Sequence, residues 1–284
     1  MKIAICGSIL LLMSISVTCV GQSPVDVHLE DLRSKTPAVR QHAAACLGRM
    51  TDRSAVPALI DVLTDPAKEV RREAARALGS IRDRNAVEPL VAALGDADMN
   101  LRLYAAYALG EIKDRKAARP LLRALADPEW CVRDQAAWAL REIGDPAIVG
   151  PLVALLKAPS ADAPQIEWLL RHADRRLAVE HLTALIEDPD ANARTRAVNA
   201  LRGFQTAEVV APLIDALADV APQVRRAAVA ALLDIGDDRA RKALEALAAQ
   251  EKDPTVRQAA EEAVFEMSIE KHLAAYWSFD DRST

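Results

Sequence analysis

The sequence predicts an all-α fold, a right-handed α-solenoid of about eight stacked helix pairs. Three observations carry that expectation. A unit of about 31 residues recurs through most of the chain, the apolar residues of each unit fall at helical period, and Ala and Leu supply much of the apolar content. Hydrophobic residues make up 51% of the 284, yet aromatics only 4%. Closely packed helices suit such a composition better than a sheet, which favours Val, Ile, Thr and aromatic residues.

Taken in chain order, residues 1–21 stand apart. Met1-Lys2 precedes an uncharged apolar run from Ile3 to Val17, followed by Thr18-Cys19-Val20-Gly21. A positive start, a short apolar run and a small-residue exit predict a signal peptide cleaved after Gly21, hence export to a periplasmic or extracellular space. The run is short for a membrane span of about 20 residues, so no stable span is expected after cleavage. Ser16-Val17-Thr18-Cys19 weakly resembles a bacterial lipoprotein signal, which makes anchoring at Cys19 the lesser alternative. Residues 22–36, with Val25 to Leu32 at their centre, are expected to cap the open end of a repeat array spanning 37–270. Residues 271–284, with Tyr276, Trp277 and Phe279, are expected to follow the last helix and cover the other end.

The repeat is marked by an arginine at Arg40, Arg71, Arg102, Arg133, Arg194, Arg225 and Arg257. One degenerate unit, in which Ala163 replaces the arginine, fills the wide gap before Arg194. Each unit reads as two helices. The second carries a broad apolar stripe, in one unit Val70, Ala74, Ala75, Ala77, Leu78 and Ile81. Gly48, Gly79 and Gly110 lie inside this period and are read as close-packing sites. Asp52, Asp83, Asp114 and Asp145 come where the chain must turn into the next unit's first helix. Pro89, Pro120, Pro151 and Pro212 then share one position, tolerable in a first turn whose N–H groups lack helical partners. Asp65-Pro66, Asp127-Pro128, Asp188-Pro189 and Asp253-Pro254 open the second helices, with Asp as the expected N-cap. Asp65, Asp96, Asp127, Asp188 and Asp219 each precede their arginine by six residues, which suggests an Asp–Arg ladder within and between units.

The pattern Asp-Pro, Val-Arg, Ala-Ala, Ala-Leu-Gly, Asp, Pro-Leu resembles the short HEAT-like repeats of phycobilin-lyase-type proteins, over roughly residues 25 to 270. The resemblance implies a HEAT-like, armadillo-type superhelix whose second helices line a concave face. It says little about activity, because one repeat scaffold serves unrelated roles.

Residues that vary between units on that face are the candidates for binding. One variable row reads Ala45, Arg76, Tyr107, Trp138, Trp168, Asn199, Ala230 and Glu262; the other includes Glu73, Tyr104 and Arg196. The aromatics fall on three adjacent central units, with Trp130 at the start of the helix that carries Trp138. Exposed aromatic clusters mark binding sites. The expected partner-binding set is therefore Tyr104, Tyr107, Trp138 and Trp168, rimmed by Trp130, Glu73, Arg76 and Arg196. A protein or peptide partner fits such a surface, and a cell-envelope glycan is the competing ligand. The bland alternative is that Trp168 and its neighbours fill space in the irregular fifth unit.

The formal charge of −5 opposes general nucleic-acid binding, which needs a basic face. Cys46 and Cys131 are the cysteines left after residue 21, too few and too far apart for a disulfide framework. Cys46 reads as a small core residue and Cys131 as exposed. No residue constellation points to an enzyme, a metal or a cofactor. The resemblance admits a bilin lyase, and similar helical repeats with His-Glu pairs hold iron in deoxyhypusine hydroxylases. Here none of His28, His42, His172, His181 and His272 is followed by Glu, and no nucleophile elbow, phosphate loop or zinc helix occurs. Glu111, Glu142 and His172 share one row and are the remaining candidates for acid, base or ligand chemistry.

Overall fold

A computed structural model describes residues 23–158 and 163–280, with side chains as far as residue 269. The signal-peptide expectation for 1–21, Cys19 included, and the side chains of Tyr276, Trp277 and Phe279 lie outside the described residues. In chain order the helices are α1 (Pro24–Asp31), α2 (Pro37–Met50), α3 (Val56–Asp61), α4 (Lys68–Ile81), α5 (Val87–Ala93), α6 (Met99–Ile112), α7 (Ala118–Ala124) and α8 (Trp130–Ile143). They continue as α9 (Val149–Leu156), α10 (Ala163–His172), α11 (Arg175–Leu185), α12 (Ala191–Arg202), α13 (Val210–Asp215), α14 (Pro222–Ile235), α15 (Asp238–Gln250) and α16 (Pro254–Asp280). Contacts divide the chain into two units, Met1–Ala108 and Leu109–Thr284. Within the first, α2 packs on α4; within the second, α12 packs on α14 and α14 on α16.

The apolar stripe explains this packing. Val70, Ala74, Ala75, Ala77 and Leu78 are wholly buried and Ile81 nearly so. The glycines let the second helices approach closely. A Cβ on Gly48 would stand 2.8 Å from the Ala77 Cα, and one on Gly79 would stand 2.9 Å from the Ala108 Cα. One on Gly110 would meet the Ala139 Cα at 2.9 Å and the Trp138 ring at 2.5 Å.

Each of five second helices ends on a left-handed residue, with φ of 54° at Thr51, 56° at Arg82, 57° at Lys113, 60° at Gly144 and 65° at Gly236. The aspartates expected at the turn follow directly. Asp52, Asp83, Asp114 and Asp145 accept from the backbone N–H two residues on, at 2.8 to 3.1 Å, and so cap the 3-10 turns that lead into α3, α5, α7 and α9. In the degenerate unit Asp174 caps α11 directly through the Leu177 N–H at 3.0 Å.

Two local expectations are corrected. Asp65, Asp127 and Asp188 are not N-caps: those positions belong to Ala67, Glu129 and Asp190, two residues later. Each aspartate accepts instead from the N–H of the N-cap residue, at 2.8, 2.9 and 3.0 Å. Asp65 is clasped by a guanidinium from the preceding repeat and Asp188 by a lysine, which draws these carboxylates away from the first-turn N–H groups. Asp253 does cap its helix, accepting from Thr255 and Val256. Secondly, α16 runs through to Asp280, so Tyr276, Trp277 and Phe279 lie within the last helix rather than after it. Nothing between 254 and 280 is a Gly or an interior Pro, so the sequence offers that helix no stop.

The Asp–Arg ladder is present in both directions. Within a repeat, the guanidinium donates to the backbone carbonyl six residues before it: Arg71 to Asp65 at 2.9 Å, Arg133 to Asp127 at 2.9 Å, Arg194 to Asp188 at 2.8 Å and Arg225 to Asp219 at 2.7 Å. Between repeats, the same group reaches forward to a carboxylate. Arg40 grips Asp65 through two bonds of 2.6 and 2.8 Å, and Arg194 grips Asp219 through two of 2.7 and 2.8 Å. Arg225 finds Glu251, whose longer side chain stands where five other units have Asp, at 2.7 Å twice. Where Ala163 replaces the arginine, Lys157 supplies the cation, with Nζ 2.5 Å from Asp188.

These partners hold the carboxyls of Asp65 and Glu251 below their usual range, chiefly through the hydrogen bonds from Arg40 and Arg225. Burial alone would raise Asp219, but Arg194 and the Ala221 N–H outweigh it. A depressed folded-state value means that this stabilisation is complete above the unfolded-state values near pH 4 and is lost as pH falls through the lower folded-state values. Urea titrations should show nearly constant stability from pH 7 to about 5 and a steep loss below about 4. Arg194→Ala, which strands the Asp219 carboxylate, 8% exposed, should cost about 3 kcal/mol at pH 7. Gly110→Ala should cost about 2 kcal/mol by overpacking. Gly95→Ala, whose Cβ would touch only a carbonyl at 3.5 Å, should cost far less. Equal losses for the two glycines would refute the close-packing reading.

Candidate functional site

In the second unit, α8 and α10 frame a groove of about 510 Å³. On α8, Trp130, Asp134, Trp138 and Arg141 are spaced by four, four and three residues and therefore share one helix face. Gln165 and Trp168 line the groove from α10. Trp130 is 70% exposed, whereas Trp138 and Trp168 are half-buried. Trp138 has its ring edge over Gly110, filling the space that a side chain there would take. Trp168 lies beside two groups: the Arg141 guanidinium sits 5.6 Å from its ring centroid, and the His172 ring is centred 4.4 Å away. The His172 Nδ1 also stands 2.7 Å from the Trp168 carbonyl oxygen, which fixes that imidazole to its own helix.

The polar groups of the groove are unequally engaged. Arg141 donates to Glu142 at 3.0 Å, and Lys113 reaches the same carboxylate at 2.6 Å. Lys113 first, and Arg141 with it, hold the Glu142 carboxyl below its usual range. The Arg141 side chain stays 40% exposed and keeps further N–H donors. Gln165 Oε1 is buried and has no hydrogen-bond partner among the described residues. On the same helix, burial pushes the Glu167 carboxyl up, against the pull of Arg171.

The first unit holds the other predicted residues. Tyr104 and Tyr107 on α6 are half-buried, and the Arg76 charge interacts with both. Arg76 Nε donates to Glu73 at 3.0 Å, so these two candidates pair with each other along α4. Tyr107 lies over Gly79 much as Trp138 lies over Gly110, with a ring carbon 3.6 Å from where a Cβ would stand. Arg72 makes a two-pronged bond to Asp98 at 2.5 and 2.6 Å.

Arg196 departs from the rim position expected of it. Its NH1 donates to the carbonyls of Leu156, Lys157 and Ala158 at 2.9, 3.0 and 2.8 Å, which caps the C-terminus of α9. An arginine from α12 thus bonds three successive carbonyls at the end of α9. Cys46 is buried as expected, with Sγ 3.1 Å from the Arg49 NH2 and 3.4 Å from the His42 Nε2. Cys131 is half-buried rather than exposed. Asp134 and Arg141 were missed, although their spacing from Trp130 and Trp138 marks them as groove-facing.

Among the described residues, no three His, Cys, Asp or Glu gather as metal ligands would. Glu142 and His172, two of the three candidates for acid–base work, are tied to Lys113 with Arg141 and to the Trp168 carbonyl. No described helix is long and apolar enough to cross a membrane.

No curated protein sequence matches the chain. Among solved structures it is similar to the complex of CpcE and CpcF of phycocyanin lyase from Nostoc sp. PCC7120. The two are 22% identical, with 87% of this chain and 95% of that one covered and a TM-score of 0.47. Human deoxyhypusine hydroxylase in complex with glycerol is 24% identical over 86% of this chain and 95% of that one, with a TM-score of 0.39. An engineered protein is 24% identical over 86% and 78%, at 0.43. None of these likenesses bears on activity. The family model for HEAT repeats matches residues 25–99, 87–171 and 179–264. Since those matches take in most of the sequence that carries the recurring arginine and its stripe, the chain belongs to the HEAT-repeat family.

Proposed function

We propose that the protein is an exported, non-enzymatic scaffold that binds a protein or peptide partner in the groove between α8 and α10. One observation carries this reading: Trp130, 70% exposed, stands in a groove with Trp138 and Trp168, where charged and amide groups reach the same space. Large aromatic side chains with arginine nearby are the residues that dominate binding energy at protein interfaces. The Tyr104–Tyr107–Arg76–Glu73 cluster offers similar chemistry in the first unit and is the secondary contact surface of this reading.

A glycan is the second reading, favoured by the flat indole faces beside Asp134, whose carboxylate could accept from sugar hydroxyls. Export rests on the sequence of residues 1–21. Mass spectrometry of the protein recovered from its native cells should find an N-terminus at Gln22 and none at Met1 if the reading is right.

The binding test selects peptides from a random display library on residues 22–284 and measures their affinity for Trp130→Ala and Trp138→Ala. Each substitution should weaken binding by ten-fold or more, with unchanged helical circular dichroism. Peptides that bind both variants as tightly as the parent would place the binding surface elsewhere. A library that yields no binder, together with retention on cell-wall polysaccharide that Trp130→Ala abolishes, would replace the peptide by a glycan.

A further inference from the structure

We infer that the groove recognises an extended, bipolar peptide segment: a basic residue, an apolar stretch, and an acidic residue three positions from the basic one. The inference rests on the peptide-binding reading above and deepens it. Its starting point is the order of groups along α8. Asp134 is exposed, makes no ion pair among the described residues, and lies one helical turn from Trp130 on one side and from Trp138 on the other. A carboxylate between two indoles is a receptor for a cation, because the ion pair and the ring quadrupoles attract the same group. Arg141 stands at the opposite end, with donors left over from its bond to Glu142, and receives an anion. Trp138 lies between them and offers apolar surface.

Helix geometry sets the distance. Arg141 follows Asp134 by seven positions, which places them two turns and about 10 Å apart on one face. A polyproline-II segment rises about 3.1 Å per residue with three residues per turn, so side chains three apart share a face at about 9 Å. The two spacings match.

The same spacing separates an extended ligand from a helical one, because residues three apart in an α-helix rise only about 4.5 Å, less than half the distance from Asp134 to Arg141.

The test uses residues 22–284 and fluorescent twelve-residue peptides with the cores Arg-Pro-Leu-Glu, Ala-Pro-Leu-Ala and Glu-Pro-Leu-Glu, read by anisotropy at low and high salt. The Arg-Pro-Leu-Glu peptide should bind roughly ten-fold tighter than the Ala-Pro-Leu-Ala peptide, with the difference shrinking in high salt. Asp134→Lys should reverse the preference, losing the Arg-Pro-Leu-Glu peptide and gaining the Glu-Pro-Leu-Glu one. Asp134 is exposed and outside the core, so the variant should fold, and a thermal melt matching the parent's is the check. Equal affinity for all three peptides, or an Asp134→Lys variant with unchanged preference, overturns the bipolar inference. If library-selected peptides still need Trp130 and Trp138 in that case, the peptide-binding reading survives. If no peptide binds and the groove retains polysaccharide, both fall.

Discussion

The arginine that recurs through the repeats fixes the register on which the rest of the structure depends. A second helix whose buried face is mostly Ala and Leu has little in its packing to stop it sliding or rotating against the next. The guanidinium removes that freedom at Arg40, Arg71, Arg102, Arg133, Arg194 and Arg225 by bonding a backbone carbonyl of its own repeat and, as at Arg40, Arg194 and Arg225, a carboxylate of the following one. The planar fork allows both, since its N–H groups leave in different directions. Taking these ions out of water costs about as much as their attraction returns, so the ladder contributes specificity more than net stability. Stability comes from the wholly buried Leu and Ala rows, brought close by Gly48, Gly79 and Gly110.

The fifth repeat shows the cost of losing the arginine. Lys157 takes over the carboxylate of Asp188, and Arg196 takes over the open carbonyls at the end of α9. Neither substitute restores the usual close fit of one second helix on another. The wider space beside α10 is filled by rings, with Trp168 set against Arg141 and His172. The groove is therefore a product of the broken repeat: scaffold positions are regular, and the space for a ligand opens where regularity fails.

Much of this was legible in the sequence because repetition reports geometry directly. The stripe around Val70 to Ile81, the close-packing role of Gly79 and the pairing of Asp65 with an arginine each come from spacing alone. What spacing could not give was the choice among partners. Asp65 could have capped its own helix or bonded a neighbour's guanidinium, and only the position of Arg40 decides between them. Arg196 occupies a row that reads as surface, yet the end of α9 forty residues earlier in sequence draws it inward. Asp134 and Arg141 were hidden for the opposite reason: they break no repeat rule, and their meaning appears only when they are set beside Trp130 and Trp138 on one face of α8.

Trp138 illustrates why packing and binding are not alternatives at such a site. Its ring covers Gly110, which has no side chain because the two helices approach so closely, and the same ring forms part of the groove. Removing it would open a cavity over Gly110 as well as strip the groove, so a loss of binding there counts only while the helical signal stays unchanged. Trp130 carries no such double duty: it is 70% exposed at the first turn of α8, with Asp134 one turn beyond. The groove thus has a rigid end, where Trp138 and Trp168 are locked by the fold, and an open end, where Trp130 and Asp134 face solvent. In the peptide-binding reading proposed above, a rigid aromatic floor beside an adaptable charged lip would let affinity reside in the first and selectivity in the second.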